Sequence, residues 1–302
     1  MNQRAYTGAA DLQRLQDFNA AAIAVTDHCG YLHPGDIPHH IYNGNRGYDP
    51  ATLLTIWEDD GGIAAWVLAN MRHKGFDAQV RPDLRGGAFE REVLTYAWER
   101  TVELMRRHDI AADYLYADGF RGDSARVEVL TALGWEKESG PPFTLTRTPI
   151  GDVAMPTLPD GFTFGAAQGL DDAAALATVH SGAFGSSWTA ESYAGVMQSP
   201  GYAPERELVI RAPDGAFAAF TIIWFDPLNR AGLFEPVGVH RDYHRRGLGR
   251  AILLHGMQHM AAAGMTTATV AHFGDNAAAT GLYHACGFRP WHPIDSYRKA
   301  CS

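Results

Sequence analysis

Leu233–Ala251 reads LFEPVGVHRDYHRRGLGRA, and the meaning of this stretch decides the fold. An apolar β-type run, with Leu233, Phe234, Val237 and Val239, passes through a short polar turn into a basic loop. That loop, Arg245-Arg246-Gly247-Leu248-Gly249-Arg250, opens a helical segment expected over Ile252 to Ala263. Strand, glycine loop and helix in that order present unpaired backbone N–H groups and a positive helix end to an anion. The two glycines allow close approach of the main chain, because neither carries a Cβ. A lone Gly-x-Gly is common, so its significance rests on the rest of the chain.

The support lies downstream, in Asn276–Phe288, NAAATGLYHACGF. Together the two stretches resemble the GNAT superfamily of acyl-CoA-dependent N-acetyltransferases. That family's nucleotide loop reads Gln/Arg-x-x-Gly-x-Gly/Ala, and the pattern falls here on His244, Gly247 and Gly249. Its later helix reads Asn-x-x-Ala-x-x-Leu-Tyr-x-x-x-Gly-Phe, matched by Asn276, Ala279, Leu282, Tyr283, Gly287 and Phe288. One departure stands, His244 in place of Gln or Arg. Because such a loop binds mainly through main-chain N–H groups, the change is expected to tune affinity rather than abolish it.

Composition is that of a soluble globular protein. The chain has 302 residues, 46% apolar and 20% charged, which suits two domains of about 150 residues. No apolar run approaches the roughly 20 residues that span a bilayer. The N-terminal sequence lacks the basic–apolar–small pattern of a secretory signal. Cys29, Cys286 and Cys301 are too scattered for a disulfide framework or a zinc knuckle. A cytoplasmic protein is therefore expected, without a membrane partner. A net charge of −9 argues against nucleic acid as a partner.

Read along its length, the chain repeats itself. Residues 7 to 28 have helical periodicity, and 29 to 50 read as loop. Leu53–Trp57 and Ile63–Leu68 are predicted strands, joined by the hairpin signal Asp59-Asp60-Gly61-Gly62. A short strand at Gln79–Arg81, a helix at Glu90–Arg107, a strand at Tyr114–Ala117 and a helix at Ala125–Leu133 follow. The Pro/Gly-rich stretch from Pro141 to Gly161 is the expected boundary, with domains at 1–148 and 149–302. The same order then begins again, with helices at Asp171–His180 and Ala190–Gln198 and strands at Leu208–Arg211, Ala216–Phe225 and Thr267–Ala271. Laying Arg81–Glu90 on His240–Gly249 pairs Ala88 with Gly247 and Glu90 with Gly249. Laying Asp123–Trp135 on Asn276–Phe288 pairs Asp123 with Asn276, Leu130 with Tyr283 and Gly134 with Gly287. A carboxylate at Glu90 would repel a phosphate, and Leu130 has no proton to give. The first half thus reads as a degenerate copy and the second as the active one. The expected fold class is α+β (an α/β mixed sheet), as two tandem GNAT-like domains, each a twisted mixed β-sheet flanked by helices.

The resemblance implies a role for particular residues. His244, Arg245, Arg246, Gly247, Leu248, Gly249 and Arg250 would cradle the pyrophosphate of acetyl-CoA, with an ordinary turn bearing solvated arginines as the plain reading. Val237 and Val239 lie two apart, so their amides point the same way. In the family this strand bulges and splays, its free amides meeting the acetyl carbonyl and the pantetheine arm. Pro236 suits a bulge. Tyr283 falls at the family's general-acid position, although a tyrosine there is otherwise a core aromatic. Asn276 is either a helix N-cap, a cofactor contact or both. Glu235 is the only carboxylate on the strand, placed by alternation on the face of Leu233 and Val237. It is the candidate base, or else the group that binds the substrate cation. Asp226 is a weaker candidate base, and Trp188, Trp224, Phe225 and Phe234 are either pocket walls or core.

Other chemistries fail on their own terms. His255 and His259 are spaced as in HExxH, but residue 256 is glycine rather than the required glutamate start. His33, His39 and His40 have only Asp36 nearby, so no metal is expected. There is no Gly-x-x-x-x-Gly-Lys-Ser/Thr and no Gly-x-Ser-x-Gly. Cys286 lacks a positioned base, so no covalent enzyme intermediate is expected. The expected activity is transfer of acetyl from acetyl-CoA to a primary amine of a small molecule in a ternary complex. Alternatives are a non-catalytic CoA-binding sensor or scaffold and a transferase of longer acyl groups.

Overall fold

Residues 1–301 are described by a computed structural model, in which the chain divides into two units. The first holds Met1–Thr144, Phe273–Asp275 and the chain from His292 on. The second holds Leu145–His272 and Asn276–Trp291.

The first unit begins with β1 (Asn2–Ala5), α1 (Ala9–Thr26), α2 (Pro50–Leu53), β2 (Leu54–Asp59), β3 (Gly62–Asn70) and β4 (Gly75–Val80). It continues through α3 (Ala88–Arg107), β5 (Tyr114–Phe120), α4 (Ser124–Ala132) and β6 (Glu136–Lys137). The second carries β7 (Phe143–Pro149) from Leu145 on, β8 (Thr163–Ala166), α5 (Ala173–Phe184), α6 (Ala190–Met197), β9 (Glu207–Arg211) and β10 (Phe217–Asp226). Then come β11 (Ala231–Val239), α7 (Leu248–Ala262), β12 (Thr267–Phe273), α8 (Ala277–Ala285) and β13 (Arg289–Ala300).

Both units are mixed sheets with helices packed on them, as the sequence implies. In the first, the order is β1-β2-β3-β4-β5-β13. Its pairs are antiparallel except β4 with β5, which run parallel and pair only at Gly75 and Tyr116. The core is built by Leu15 of α1, Trp66 of β3 and Val93, Leu94 and Ala97 of α3, all essentially inaccessible. In the second unit β7, β12, β11, β10, β9 and β8 follow one another. Here β11 and β12 run parallel while β10 pairs antiparallel with both its neighbours. One face is packed by α7 through Ile252, Leu253 and Met260, the other by α5 and α6 through Leu176, Val179 and Val196.

The repeat holds in detail. The 3₁₀ turns Pro82–Leu84 and Arg241–Tyr243 occupy aligned positions. Gly86 and Arg245, also aligned, both have positive φ, +73° and +60°. Asp123 caps α4 by accepting the Arg126 N–H at 3.2 Å, and Asn276 caps α8 by accepting the Ala279 N–H at 3.0 Å.

Where expectation and structure differ, local chemistry explains it. The stretch read as loop before Pro50 contains a 3₁₀ turn at Pro34–Asp36 and a π-helical turn at His39–Gly44. The first has a side-chain cap rather than apolar periodicity, His33 Nδ1 accepting the Gly35 N–H at 3.2 Å. The Pro/Gly-rich stretch read as boundary contains β7, whose Thr146 hydroxyl donates to the Val270 carbonyl at 2.8 Å. At the other end, β13 runs antiparallel to β5 from Ile294–Phe120 to Ala300–Tyr114, so the last strand completes the sheet of the first unit. One cut at 148/149 thus meets a division that returns to the first unit at the C-terminus.

Candidate active site

The site forms where β11 leaves its parallel neighbour. Ala231–Phe234 pair with Thr267–Val270 of β12, and the pairing stops there. On its other side β11 stays with β10, where Phe234 faces Ile223 and Val237 faces Thr221. Ile222 alone therefore opposes both Glu235 and Pro236, which is a bulge. Proline suits that position because it has no N–H to offer a ladder.

Register also fixes the direction of the main chain. His240 N–H donates to the Ala218 carbonyl at 2.9 Å, so that pair is a hydrogen-bonded one. Antiparallel alternation then makes Val239–Ala219 and Val237–Thr221 non-bonded pairs. The peptide groups of Val237 and Val239 accordingly turn away from β10, toward the edge that β12 has vacated.

The bulge corrects one expectation. Leu233 clusters with Ile222 and Trp224, whereas Val237 packs with the group that includes Phe234, Leu248 and Tyr283. Leu233 and Val237 thus lie on opposite faces, since one extra residue resets the two-residue period. Glu235, within the bulge and half-buried, is not placed by simple alternation.

Close packing holds β11 on both sides. A Cβ on Gly256 of α7 would lie 2.3 Å from Phe234 Cε1, so glycine at the position that breaks the zinc-protease pattern has a packing reason. On the other face, a Cβ on Gly182 of α5 would lie 1.8 Å from His240 Cδ2.

The loop after β11 is open. Among the described residues no acceptor takes the N–H groups from Arg245 to Arg250, and the first helical bond runs from Ala251 to Gly247. Gly247 is the N-cap of α7 at φ +80°, and a Cβ there would meet nothing within 4 Å. Arg245, Arg246 and Arg250 are exposed, with the Arg246 guanidinium over the Tyr243 ring at 5.5 Å. Leu248, in contrast, buries its side chain in the core at 1% exposure, leaving only its amide for a ligand. His244 is bonded through Nε2 to the Val239 carbonyl at 3.0 Å. It ties the loop to the open edge rather than projecting freely. Six free amides, three arginines and a helix N-terminus suit a pyrophosphate.

Tyr283 of α8 lies against this core at 7% exposure, its ring 5.4 Å from His272 and 5.9 Å from Phe288. Its hydroxyl makes no hydrogen bond among the described residues. Burial, and then the charge of Glu235, hold its phenol well above the ordinary range. The structure thus brings Tyr283 and Glu235 within electrostatic reach of each other. Cys286, the C-cap of the same helix, has its thiol pushed up by burial. Asp226 is fully buried, and its carboxylate accepts from the Asn229 main chain at 3.2 Å and side chain at 2.6 Å. That assigns it to the turn rather than to the site. Trp188 and Phe234 are core, and Trp224 is buried with its indole N–H donating to the Glu235 carbonyl.

The aligned region of the first unit is closed. Glu90 is inaccessible, accepts the Gly86 N–H at 2.5 Å and is bonded by the Arg126 guanidinium. His255 stacks on Phe164 at 4.3 Å, and among the described residues no group of three metal-ligating side chains is assembled.

A mixed sheet parted beside a glycine loop with free main-chain amides is an arrangement that suits an acyltransferase. Residues 174–288 match the Acetyltransferase (GNAT) family. The chain is 32% identical to a mycothiol acetyltransferase of Kineococcus radiotolerans over 80% of each chain. A second mycothiol acetyltransferase, from Streptomyces griseus, is 32% identical over 84% of this chain and 81% of that one. The match to the Streptomyces bingchenggensis enzyme of that name, at 29% identity, spans about half of that protein, 51%. Among solved structures, a tandem GNAT protein from the clavulanic acid biosynthesis pathway superposes with a TM-score of 0.68 over 100% of this chain and 98% of its own, at 16% identity. This chain belongs to the GNAT acetyltransferase family, and it is an acyltransferase of the tandem-domain type. That family uses acetyl-CoA as co-substrate. No helix among the described residues is long and apolar enough to cross a membrane.

Proposed function

We propose that the second unit transfers acetyl from acetyl-CoA to a primary amine of a small molecule, by direct attack in a ternary complex in the cytoplasm. The observation that carries this reading is the continuous row of free main-chain N–H groups, from Arg245 to Arg250, beside the vacated edge of β11.

The co-substrate supplies an activated thioester, whose C–S bond breaks as the C–N bond forms. Amides from Arg245 to Arg250 bind its pyrophosphate, with Arg245, Arg246 and Arg250 adding charge. Asn276 contributes a further contact while capping α8. Val237 N–H donates to the acetyl carbonyl oxygen, which becomes more negative on attack, so the bond strengthens where it lowers the barrier. Val239 N–H holds the pantetheine arm. Glu235 binds the substrate ammonium and takes its proton, directly or through water. Tyr283 returns a proton to the departing sulfur. Its raised pKa keeps the phenol protonated until the thiolate forms. The raised Cys286 thiol does not favour a covalent enzyme intermediate.

The first unit, on this reading, does not hold cofactor. For the acceptor, the relatives matching over four-fifths of the chain carry the name mycothiol acetyltransferase. The acceptor that gives those enzymes their name is therefore the first to test.

The test is calorimetric titration of acetyl-CoA into the wild type and Gly249→Glu, followed by an amine screen read by product mass. One site per chain, lost in the variant, is the expected result. Binding that survives the variant would remove the loop from the mechanism. Two sites would mean that the first unit also binds, and transfer only from longer acyl-CoA would change the donor.

A further inference from the structure

The first unit has the turn, the left-handed residue and the long helix of a phosphate loop, and inside them lies a carboxylate of its own. Glu90 is fully buried. Its Oε2 accepts the Gly86 N–H at 2.5 Å, and its Oε1 accepts from Arg126 Nε. Arg85 Nε approaches the same oxygen at 3.6 Å. In the second unit Gly249 stands at the position aligned with Glu90, and Arg245, whose N–H is free, at the position of Gly86.

Two further observations mark this as a ligand site rather than an ordinary ion pair. Arg85 is paired with Asp123 through Nη2, its side chain is 9% exposed, and its buried Nε has no hydrogen-bond acceptor. A cavity of about 40 Å³ lies beside the guanidiniums, lined among others by Asp77, Arg85, Asp118, Asp123 and Arg126. A donor on Arg85 and a small space are thus left over beside Glu90. Burial pushes the Glu90 carboxyl up, but Arg126, the Gly86 amide and Arg85 outweigh it and hold it below the ordinary range. It therefore stays charged at neutral pH, and the site stays filled.

We propose that Glu90 is an internal ligand that closes an anion site in the first unit. That site, formed by the Gly86 N–H, Arg85 and Arg126, accepts a pyrophosphate-class anion once the carboxylate is removed. The physical basis is charge. Without Glu90, Arg85 keeps Asp123, whereas the Arg126 guanidinium keeps only the Ala78 carbonyl at 3.0 Å, and a buried charge without a carboxylate partner recruits a counter-ion. This inference goes beyond the acetyl-transfer reading, and its probe does not depend on catalysis.

The experiment uses the full chain carrying Gly249→Glu, which closes the second unit's loop, with and without Glu90→Gly. Inorganic pyrophosphate is titrated by calorimetry. The double variant is expected to bind one pyrophosphate per chain at least about tenfold tighter than the Gly249→Glu parent, the gain of one charge-assisted hydrogen bond. Equal affinities would overturn the proposal. Should Glu90→Gly fail to fold, Glu90→Ala removes the carboxylate and vacates its space while favouring the helix. Its melting temperature is then expected to rise with pyrophosphate where the parent's does not, and no rise overturns the proposal. Adding Arg126→Ala removes the cation and is expected to abolish the gain. Undiminished binding there would put the anion elsewhere and overturn it too. Wild type run alongside reports the second unit's loop, and failure there would count against the proposed function alone.

Discussion

The indole N–H of Trp224 donates to the carbonyl oxygen of Glu235 at 2.7 Å. That carbonyl belongs to the bulge, two residues before the Val237 amide that faces the vacated edge. The bond fixes the plane of a peptide that no strand ladder holds, and through it the direction of the next amides. Trp224→Phe keeps an aromatic ring, though a smaller one, and removes the donor. It is expected to lower kcat/KM for acetyl-CoA by about tenfold and stability by about 1 kcal/mol. Steady-state kinetics beside urea unfolding checks this. A variant as fast as wild type would mean that the bulge holds itself.

Tyr283 has a buried ring and an unbonded hydroxyl, so removing the oxygen separates packing from proton transfer. Tyr283→Phe is expected to lower kcat by about 10² to 10⁴, with acetyl-CoA affinity and folding stability almost unchanged. Burial and the charge of Glu235 hold the phenol above the ordinary value near 10. Wild type should therefore lose no activity through tyrosine ionisation up to about pH 10. An alkaline limb below that, present in wild type and absent in the variant, would contradict the placement.

Much of this site was legible in the sequence because its parts are local. A strand, a glycine loop and a helix follow one another from Leu233 to Ala262, and Asn276–Phe288 is a helix with its own cap. Backbone features that residue type dictates, such as the break at Pro236, could be foreseen. What could not be read was set by pairing. β13 contains Pro290 and Pro293 and gives no clean alternation, yet it pairs along all of β5 because that edge would otherwise be open. β7 lies among prolines and reads as linker, although its Phe-Thr-Leu-Thr-Arg-Thr run alternates. Counting residues put Leu233 and Val237 on one face, and only the register against Ile222 reveals the extra residue between them. The free amides are likewise a property of what β12 does, not of β11.

Gly182 allows α5 to lie directly on His240, the residue that precedes the turn into the loop. An added Cβ would stand 1.8 Å from the imidazole, so helix and ring must part. Alanine gains about 1 kcal/mol in helix propensity, against an overpacking penalty of about 1–3 kcal/mol. Gly182→Ala is expected to be destabilising overall. His240 Nδ1 also accepts the Asp242 N–H at 3.3 Å, so displacing the ring disturbs the turn and should weaken acetyl-CoA binding several-fold. Unfolding curves and calorimetry on the same preparation separate the two effects. Lost stability with unchanged affinity would show that the loop is insulated from α5.

Glu207 of β9 is inaccessible, and the hydroxyls of Tyr193 and Tyr202 donate to its two oxygens, the latter at 2.5 Å. Burial pushes its carboxyl up to about 7, while the two hydrogen bonds pull the other way. In the unfolded chain the group titrates near about 4.3. The native state therefore holds a proton that the unfolded state has released between those values. Its stabilising contribution is complete below about pH 4.3 and is lost as pH rises through about 7. The gap corresponds to about 4 kcal/mol. Glu207→Gln has nothing to release, so the variant's stability relative to wild type should rise by that amount between about pH 4.5 and 8. Urea unfolding of both proteins across this range is the measurement. A constant difference would mean that Glu207 is ionised throughout, with the two tyrosine hydrogen bonds outweighing its burial.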